Sequence, residues 1–476
     1  MAAGFRLGLD LGTSSLKAVI VDEAGGEVAA GMAAYPTVSA HPGQAEQDPA
    51  AWAEALVRAV ADALLALGPE RAGEVKAIGV TGQLPTLVCL SAQGKVVGPA
   101  ITWCDTRAED WVSERLDSER RRALYEATGM PIDGRYLAPM FRVHFSETAE
   151  VAHIVSAKDY LCYLLTGRLI TDPSTASGYA VYDINQSSWS EDLCVFWGLD
   201  PRLLPEIGAP DSCAGGLRED WAARLGLAAG LPVAVGCADS VAGAYALCGY
   251  EEGTVSVVMG SSTIIIAPSD HLCPDPKSRY LLTPYAQAGW FAREMDLLAT
   301  GTGFSWLSNL LGHPANMIEA MALRAPPGAD GLLFAPYLGE GEQGALWDSR
   351  LRGVLRGLKL AHGPAHIARA YFEGVLFEIR RCLDVLEEFG PVRGVTISGQ
   401  FTHSPGLLLL GANALGRKLT LRDVSSPSAV GAALLTPGSP YGIAAKPRAL
   451  IAPTEHQARY DEFYSAYLQI FPHQAR

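Results

Sequence analysis

The chain has 476 residues, 49% of them hydrophobic and 18% charged, a composition typical of folded chains and a length better suited to two domains than to one core. Its net charge of −14 and the lack of any basic stripe argue against an extended phosphate-backbone contact, so no nucleic-acid partner is expected. No apolar run is long enough to cross a bilayer, and the opening MAAGFRLGLDLG enters a strand without the segments of a signal peptide, so no membrane association is expected.

Residues 5 to 35 alternate apolar and polar around tight turns and predict a β-meander, FRLGLDLG, LKAVIVDEAG and EVAAGMAAY. Asp48-Pro49 supplies an N-cap and a proline at the first helical position, and Trp52, Leu56, Val60, Leu64 and Leu67 then recur on one helix face. A short strand VKAIGVTG leads into Gln83, followed by a hairpin TLVCLSAQGKVVGPAITW running to Cys104-Asp105. A mostly helical stretch (108 to 128, then 156 to 166) precedes the polar segment TDPSTASGYAVYD. Near residue 232 the pattern starts again, with a strand, a loop carrying Asp239 and a small-residue helix in LPVAVGCADSVAGAYALCGY, then a second hairpin, GTVSVVMGSSTIIIAPSD. MGSSTIII repeats the strand, turn, strand order of DLGTSSLKAVIV about 250 residues earlier, which predicts two related domains facing across a cleft. The boundary is placed at 1–246 and 247–476, with the hinge within residues 240 to 255. The remainder predicts a strand and helix start in LLATGTGFSWLSNLL and a long helix from Pro364 to Phe389. The face of that helix formed by Ile367, Ala370, Tyr371, Val375, Ile379 and Leu383 is assigned to the core. A strand VRGVTIS and a helix ending at Gly416 follow. The nine cysteines stand singly and mostly among apolar neighbours, as buried thiols in a reducing cytoplasm do. His362 and His366 form the only i, i+4 histidine pair and read as surface or capping residues.

In a Gly-Thr-Ser turn successive N–H groups can point to one place, and the hydroxyls of Thr13, Ser14 and Ser15 add donors, so phosphate oxygens fit there. Asp10, just ahead of that turn, either satisfies the turn's own N–H groups or holds a hydrated magnesium ion beside phosphate. The turn Gly260-Ser261-Ser262 would grip other phosphates of the same nucleotide. Asp239 is either an ordinary N-cap or a carboxylate that takes the proton of a sugar hydroxyl attacking phosphorus. Gln83, Asp105 and Arg107 end strands, where ligands gather in open α/β sheets, and offer a small polyol an amide, a carboxylate and a guanidinium; the other reading is local capping with a surface ion pair. GTGFSW at 301 to 306 has Trp306 where a dinucleotide fingerprint needs its third glycine, and no P-loop occurs. A nicotinamide site is therefore not expected, whereas a helix N-terminus beside nucleotide phosphate is.

DLGTSS, Gly82-Gln83, WCDTR at 103–107, KDYLCYLLTG at 158–167, GCADSVAG and MGSST, in that order, resemble the FGGY carbohydrate kinases, and most closely their xylulokinase-like branch. EQDPAAW, TDPSTASG, PYLGEGEQGALWDSRLRG and SGQFTHSPGLLLLGANALG extend the resemblance over nearly the whole chain. It implies an α/β fold of two ribonuclease-H-like domains, of actin/hexokinase type, closing over sugar and ATP, in a cytoplasmic enzyme that dimerises through its second domain. The implied reaction is ATP- and Mg2+-dependent transfer of the γ-phosphate to a hydroxyl of a small keto-sugar, D-xylulose foremost. The resemblance makes Asp239 the catalytic base and a sugar contact, and Asp10 the magnesium-associated acid. It puts Thr13, Ser14, Gly260, Ser261 and Ser262 at the phosphates, Gly301, Gly399 and Gln400 along the nucleotide, and Gln83, Asp105 and Arg107 on the sugar side.

The chain departs from that pattern at three places. Leu84-Pro85-Thr86 stands where the branch has Met-His-Gly, which removes an imidazole from a site that discriminates hydroxyl stereochemistry and brings ribulose or another polyol into consideration. Ser398-Gly399-Gln400 replaces a triple-glycine turn, and Gln343 stands where arginine is common. These departures motivate a second reading, a sugar and nucleotide sensor without transfer. An actin-like assembly protein would share the phosphate hairpins but has no use for Gln83, Asp105 and Arg107.

Overall fold

The computed structural model describes residues 4–339, 344–348, 350–422, 424–439 and 447–471. The meander forms as β1 (Phe5–Leu11), β2 (Ser15–Val21) and β3 (Glu27–Ala34), antiparallel in sequence order. Helix α1 (Pro49–Leu67) follows, with Asp48 capping the Ala50 N–H and the five spaced residues from Trp52 to Leu67 buried. β4 (Val75–Gly82) then pairs parallel with β1. Leu7, Leu9 and Leu11 share a core with Trp52, Leu56 and Val60 of α1, which accounts for the apolar alternation of β1.

The long hairpin expected after Gln83 is only partly formed. Leu87–Leu90 pairs along its length with His153–Ser156 and meets Ala100–Ile101 only at Leu87 and Ile101. Gly94 and Gly98 adopt positive φ in the return leg, and Pro99 adds a residue with no N–H, so that leg does not extend as a ladder.

Next come α2 (Ala157–Thr166), β5 (Cys213–Gly216), β6 (Pro232–Ala234), β7 (Cys237–Ala238) and α3 (Asp239–Cys248). They complete a seven-stranded sheet in the order β5-β6-β4-β1-β2-β3, with β7 also on β4. A second seven-stranded sheet takes five strands from β8 (Thr254–Met259), β9 (Thr263–Ser269), β10 (Leu281–Pro284), β11 (Phe291–Leu297) and, beyond helices α4 (Thr300–Leu311) and α5 (Pro364–Glu387), β12 (Gly394–Gly399); its last two strands come later in the chain. Helix α6 (Pro405–Leu415), β13 (Leu419–Arg422), helix α7 (Pro427–Leu434), β14 (Pro447–Ile451) and helix α8 (Gln457–Leu468) end the chain. β8 pairs antiparallel with β9 and parallel with β12, as β1 does with β2 and β4. The repeat visible in DLGTSS and MGSST is thus a repeat of strand topology.

The predicted core face of α5 is buried except for half-buried Ile367, and most of its other side is buried too. Tyr460 and Tyr467 of α8 cover that side, their hydroxyls donating to Glu373 (3.1 Å) and Glu378 (2.6 Å). Charged residues in the α5 sequence therefore do not mark a solvated face.

Glycines allow a closer contact between the two halves. The face of β1 carrying Gly8 is covered by α7, from the far end of the chain. A Cβ on Gly8 would lie 1.8 Å from the Ala429 carbonyl oxygen, one on Gly79 1.8 Å from that of Ala432, and one on Gly431 1.9 Å from that of Ala242 in α3. Helix α7 is consequently packed backbone to backbone against the first sheet, and helix α3 against α7. Overpacking a close-packed site costs about 1–3 kcal/mol, and a carbonyl inside a helix has little room to yield. Gly8→Ala is expected to lower the thermal unfolding midpoint by several degrees, whereas Gly73→Ala, whose Cβ meets nothing within 4 Å, serves as a neutral control. Equal midpoints for the two variants would contradict this packing.

Among the described residues, no helix is long and apolar enough to cross a membrane.

Candidate active site

Each glycine turn is closed by the glycine's own N–H, reaching three residues on in the first and two in the second. Gly12 N–H donates to Ser15 O (3.1 Å) in the first, and Gly260 N–H to Ser262 O (2.8 Å) in the second. Thr13 is held from two sides: Trp103 Nε1 donates to its hydroxyl (2.9 Å) and Gln47 Nε2 to its carbonyl (2.7 Å). Ser14 is exposed, and the Tyr35 hydroxyl donates to Gly12 O. Asp10, at the end of β1, is 6% exposed, and its Oδ1 meets no hydrogen-bond partner. The reading in which that carboxylate caps the turn's own N–H groups therefore has no support at Oδ1. Burial raises the Asp10 pKa, with Lys17 partly opposing. An orphaned, buried carboxylate oxygen beside a phosphate-type turn suits a hydrated divalent cation.

Gly301 and Gly399 converge on the second turn. A Cβ on Gly301 would lie 2.1 Å from Gly260 O, and one on Gly399, whose φ is +99°, would lie 2.0 Å from Met259 O. The amides of Gly301 and Thr302 at the start of α4 donate to Ser261 O (2.9 and 3.2 Å), so that helix end secures the turn itself. Gln400 opens a one-turn 3-10 helix, Gln400–His403, directly after Gly399. Its side chain, like Gln343, lies outside the described residues.

Asp239 is the first residue of α3 and not its N-cap, a position held by Ala238. Its Oδ1 accepts the Ser240 N–H (2.8 Å). Burial, then the charges of Asp10 and Glu294, push its pKa up to about 8. Beneath it lies a buried ionic network. Lys158 Nζ sits 2.9 Å from Asp159 and 3.0 Å from Asp172, and donates to Val235 O (2.8 Å). Asp172 accepts from the Ser174 N–H (2.9 Å) and hydroxyl (2.5 Å), and the Ser174 oxygen in turn accepts the Ala238 N–H (3.0 Å). The strand that delivers Asp239 is thereby tied to the KDYL and TDPST segments.

A cavity of about 180 Å3 opens between the halves, and Thr13, Asp239 and Ser262 all line it. The structure thus brings both turns and the carboxylate to one place. It does not seat Gln83, Asp105 or Arg107 on that wall, where Leu84, Pro85 and Trp103 stand instead. Gln83 is 1% exposed, its amide donating to Gln47 Oε1 (2.9 Å) while its own Oε1 has no partner. The Asp105 carboxylate accepts the Ala45 N–H (2.9 Å) and a fork from Arg107, whose Nη2 also reaches Glu46 (2.6 Å). That pair ties two loops together off the cavity lining, with Asp105 buried and not in a surface ion pair.

Sequence reasoning missed Arg135, Glu294 and Asp296, which also line the cavity. Arg135 Nε donates to both oxygens of Asp133 (3.1 and 2.9 Å). Glu294 and Asp296 stand at i and i+2 of β11, so both point to one face. Two acids at alternate positions of the sequence EMDLL, directly after Arg293, were the available signal. Burial, then Asp296, raises the Glu294 pKa.

The chain matches the FGGY family of carbohydrate kinases, N-terminal domain, over residues 5–246, and the C-terminal domain of that family over residues 255–436. It is similar to a xylulose kinase of Lactococcus lactis (27% identical, covering 98% of this chain and 96% of that protein) and to a gluconokinase of Bacillus subtilis (26%, 90% and 86%). The solved structure of a xylulose kinase from Rhodospirillum rubrum superposes with a TM-score of 0.87 at 30% identity, covering 99% of this chain and 100% of that one.

Proposed function

This chain belongs to the FGGY family of carbohydrate kinases, and on that premise we propose that it transfers the γ-phosphate of ATP to a primary hydroxyl of a small keto-sugar or polyol, D-xylulose first among them. The observation that carries this reading is the single cavity lined by Thr13, Ser262 and Asp239. In it, residues 1–246 supply the base and one phosphate turn, and residues 247–476 supply the other turn. Asp239 accepts the proton of the acceptor hydroxyl as its oxygen bonds to the γ-phosphorus; the bond from that phosphorus to the β–γ bridging oxygen breaks, and ADP leaves with the electron pair. Ser14, Gly260 and Ser261 complete the two phosphate turns, and Gly301, Gly399 and Gln400 flank the nucleotide. Asp10, with its unpartnered Oδ1, would hold Mg2+, which offsets phosphate charge when bound. Gln83, Asp105 and Arg107 support the acceptor side from behind Trp103. Apposition of the halves excludes water, which otherwise competes as phosphoryl acceptor.

A base works only when ionised, so with the Asp239 pKa near 8 the kcat/KM for the acceptor is expected to climb with pH and level off above about 8. Glu294→Gln removes a charge that holds this pKa up and is expected to shift the rise to lower pH. An unmoved profile would separate the rise from Asp239.

The reading is tested by coupled ADP release with D- and L-xylulose, D- and L-ribulose, glycerol and erythritol, with the phosphorylated product identified by mass spectrometry. ADP release and phosphosugar from at least one acceptor support it. Sugar-dependent nucleotide binding without any phosphosugar would replace it with the sensor reading, which the Leu84-Pro85-Thr86 segment motivates.

A further inference from the structure

Resting on the kinase reading, we infer that Trp103 is a positioning residue for the nucleotide: from the acceptor wall, its indole N–H fixes the Thr13 hydroxyl so that the hydroxyl's own hydrogen is left for a phosphate oxygen. Both residues line the cavity, and Trp103 Nε1 lies 2.9 Å from Thr13 Oγ1. An indole nitrogen only donates, so in this pair the Thr13 oxygen must accept. A hydroxyl carries one hydrogen, and among the described residues nothing accepts that of Thr13, whose carbonyl is in turn held by Gln47 Nε2 (2.7 Å). A hydroxyl oxygen that already accepts is also the better donor, because linked hydrogen bonds polarise one another.

The frame around the pair is closely tied. Glu46 and Gln47 pair antiparallel with Ile101 and Ala100. Thr102, directly before Trp103, donates to Ala45 O from its N–H and from its hydroxyl (3.0 Å each). Asp105, two residues after Trp103, accepts the Ala45 N–H (2.9 Å) and is itself gripped by Arg107. The Trp103 loop is thus pinned on either side to Ala45. Two residues on from Ala45, Gln47 holds the Thr13 carbonyl, while its Oε1 accepts from Trp52 Nε1 (3.0 Å) and Gln83 Nε2 (2.9 Å). Gln83, Asp105 and Arg107, none of them on the cavity lining, thereby hold the indole and the turn that are. The second turn is tethered differently, its Ser261 carbonyl being held by the amides of Gly301 and Thr302 in its own half. The link from acceptor wall to nucleotide therefore runs through the first turn.

The experiment measures kcat/KM for ATP and KM for the best acceptor in wild type, Trp103→Phe, Thr13→Val, Thr13→Ser and the double variant Trp103→Phe/Thr13→Val, each checked for folding by thermal unfolding. Trp103→Phe keeps an aromatic ring on the wall and lacks the N–H. It is expected to lower kcat/KM for ATP roughly tenfold, the net strength of one hydrogen bond, and to leave the acceptor KM within about threefold of wild type. Thr13→Val is expected to lose roughly 10- to 100-fold, because its missing contact is to a charged group, and Thr13→Ser to keep most of the wild-type value. The double variant should match Thr13→Val alone, since without the hydroxyl the indole N–H has nothing to aim. Losses that multiply in the double variant overturn the inference. So does a folded Trp103→Phe with wild-type ATP parameters, or one whose loss lies wholly in the acceptor KM, the mark of a plain wall residue. Thr13→Val with the ATP kcat/KM of wild type overturns it however Trp103→Phe folds. A wild type that makes no phosphosugar from any acceptor overturns the kinase reading instead.

Discussion

Asp239→Asn is expected to lower kcat on the best acceptor by roughly 10²- to 10⁴-fold, the usual cost of removing a general base. Asparagine keeps the shape and can still accept the Ser240 N–H through its amide oxygen, but it cannot take up the acceptor's proton. The stability of the same variant separates a functional role from a structural one. In the unfolded chain an aspartate ionises near 3.8, whereas in the fold Asp239 does so near 8, so its folded-state pKa is raised. Its contribution to stability is therefore fully present below pH 4 and is lost as the pH rises toward 8. Asp239→Asn lacks this loss. The variant should match or exceed wild type in thermal unfolding, by a margin that widens from pH 4 to pH 8, while ADP release collapses. Undiminished turnover would remove Asp239 from the chemistry, and a destabilised variant at pH 8 would contradict the burial argument.

The second large effect is expected at Lys158. Burial opposes its charge, yet Asp159 and Asp172 outweigh that and hold its pKa above the ordinary lysine range, so it remains an ammonium. Lys158→Met leaves two buried carboxylates facing each other without a cation. Breaking a buried pair in this way costs about 3–5 kcal/mol, a large share of the margin of an ordinary domain. The urea midpoint of the transition that includes the first sheet is expected to fall accordingly, and Lys158→Met combined with Asp159→Asn and Asp172→Asn should recover part of it. A midpoint equal to wild type for Lys158→Met would show that the network contributes nothing. Because Ser174 links Asp172 to the Ala238 N–H, kcat is expected to fall in Lys158→Met even where the protein remains folded.

Several elements were legible because their signals are local. The meander, α1 and the turn pair DLGTSS and MGSST rest on periods of 2 and 3.6 residues and on turn chemistry, all of which act over a few positions. The helix start at Asp239 was equally plain, although the cap itself fell to Ala238. Asp105 and Arg107 were expected to end a strand, but that strand stops at Ile101 and both fall in the loop beyond it. Here the Ala45 N–H and Glu46, brought in by a neighbouring loop, engage both groups behind the wall.

The order of residues by itself determined the meander, α1, α5, the duplicated turn and the family. It also supplied the acids at positions 10 and 239, since each of these rests on neighbours along the chain. Only the tertiary structure decided why Gly8 and Gly79 must be glycine, since the carbonyls that forbid a Cβ belong to α7 at the opposite end of the chain. It also decided that Glu294 and Asp296 line the same cavity as Asp239, and that Gln83 is buried against Gln47 and not on that lining. Such outcomes depend on which faces of two separate sheets are pressed together, a long-range packing choice that no window of the sequence encodes.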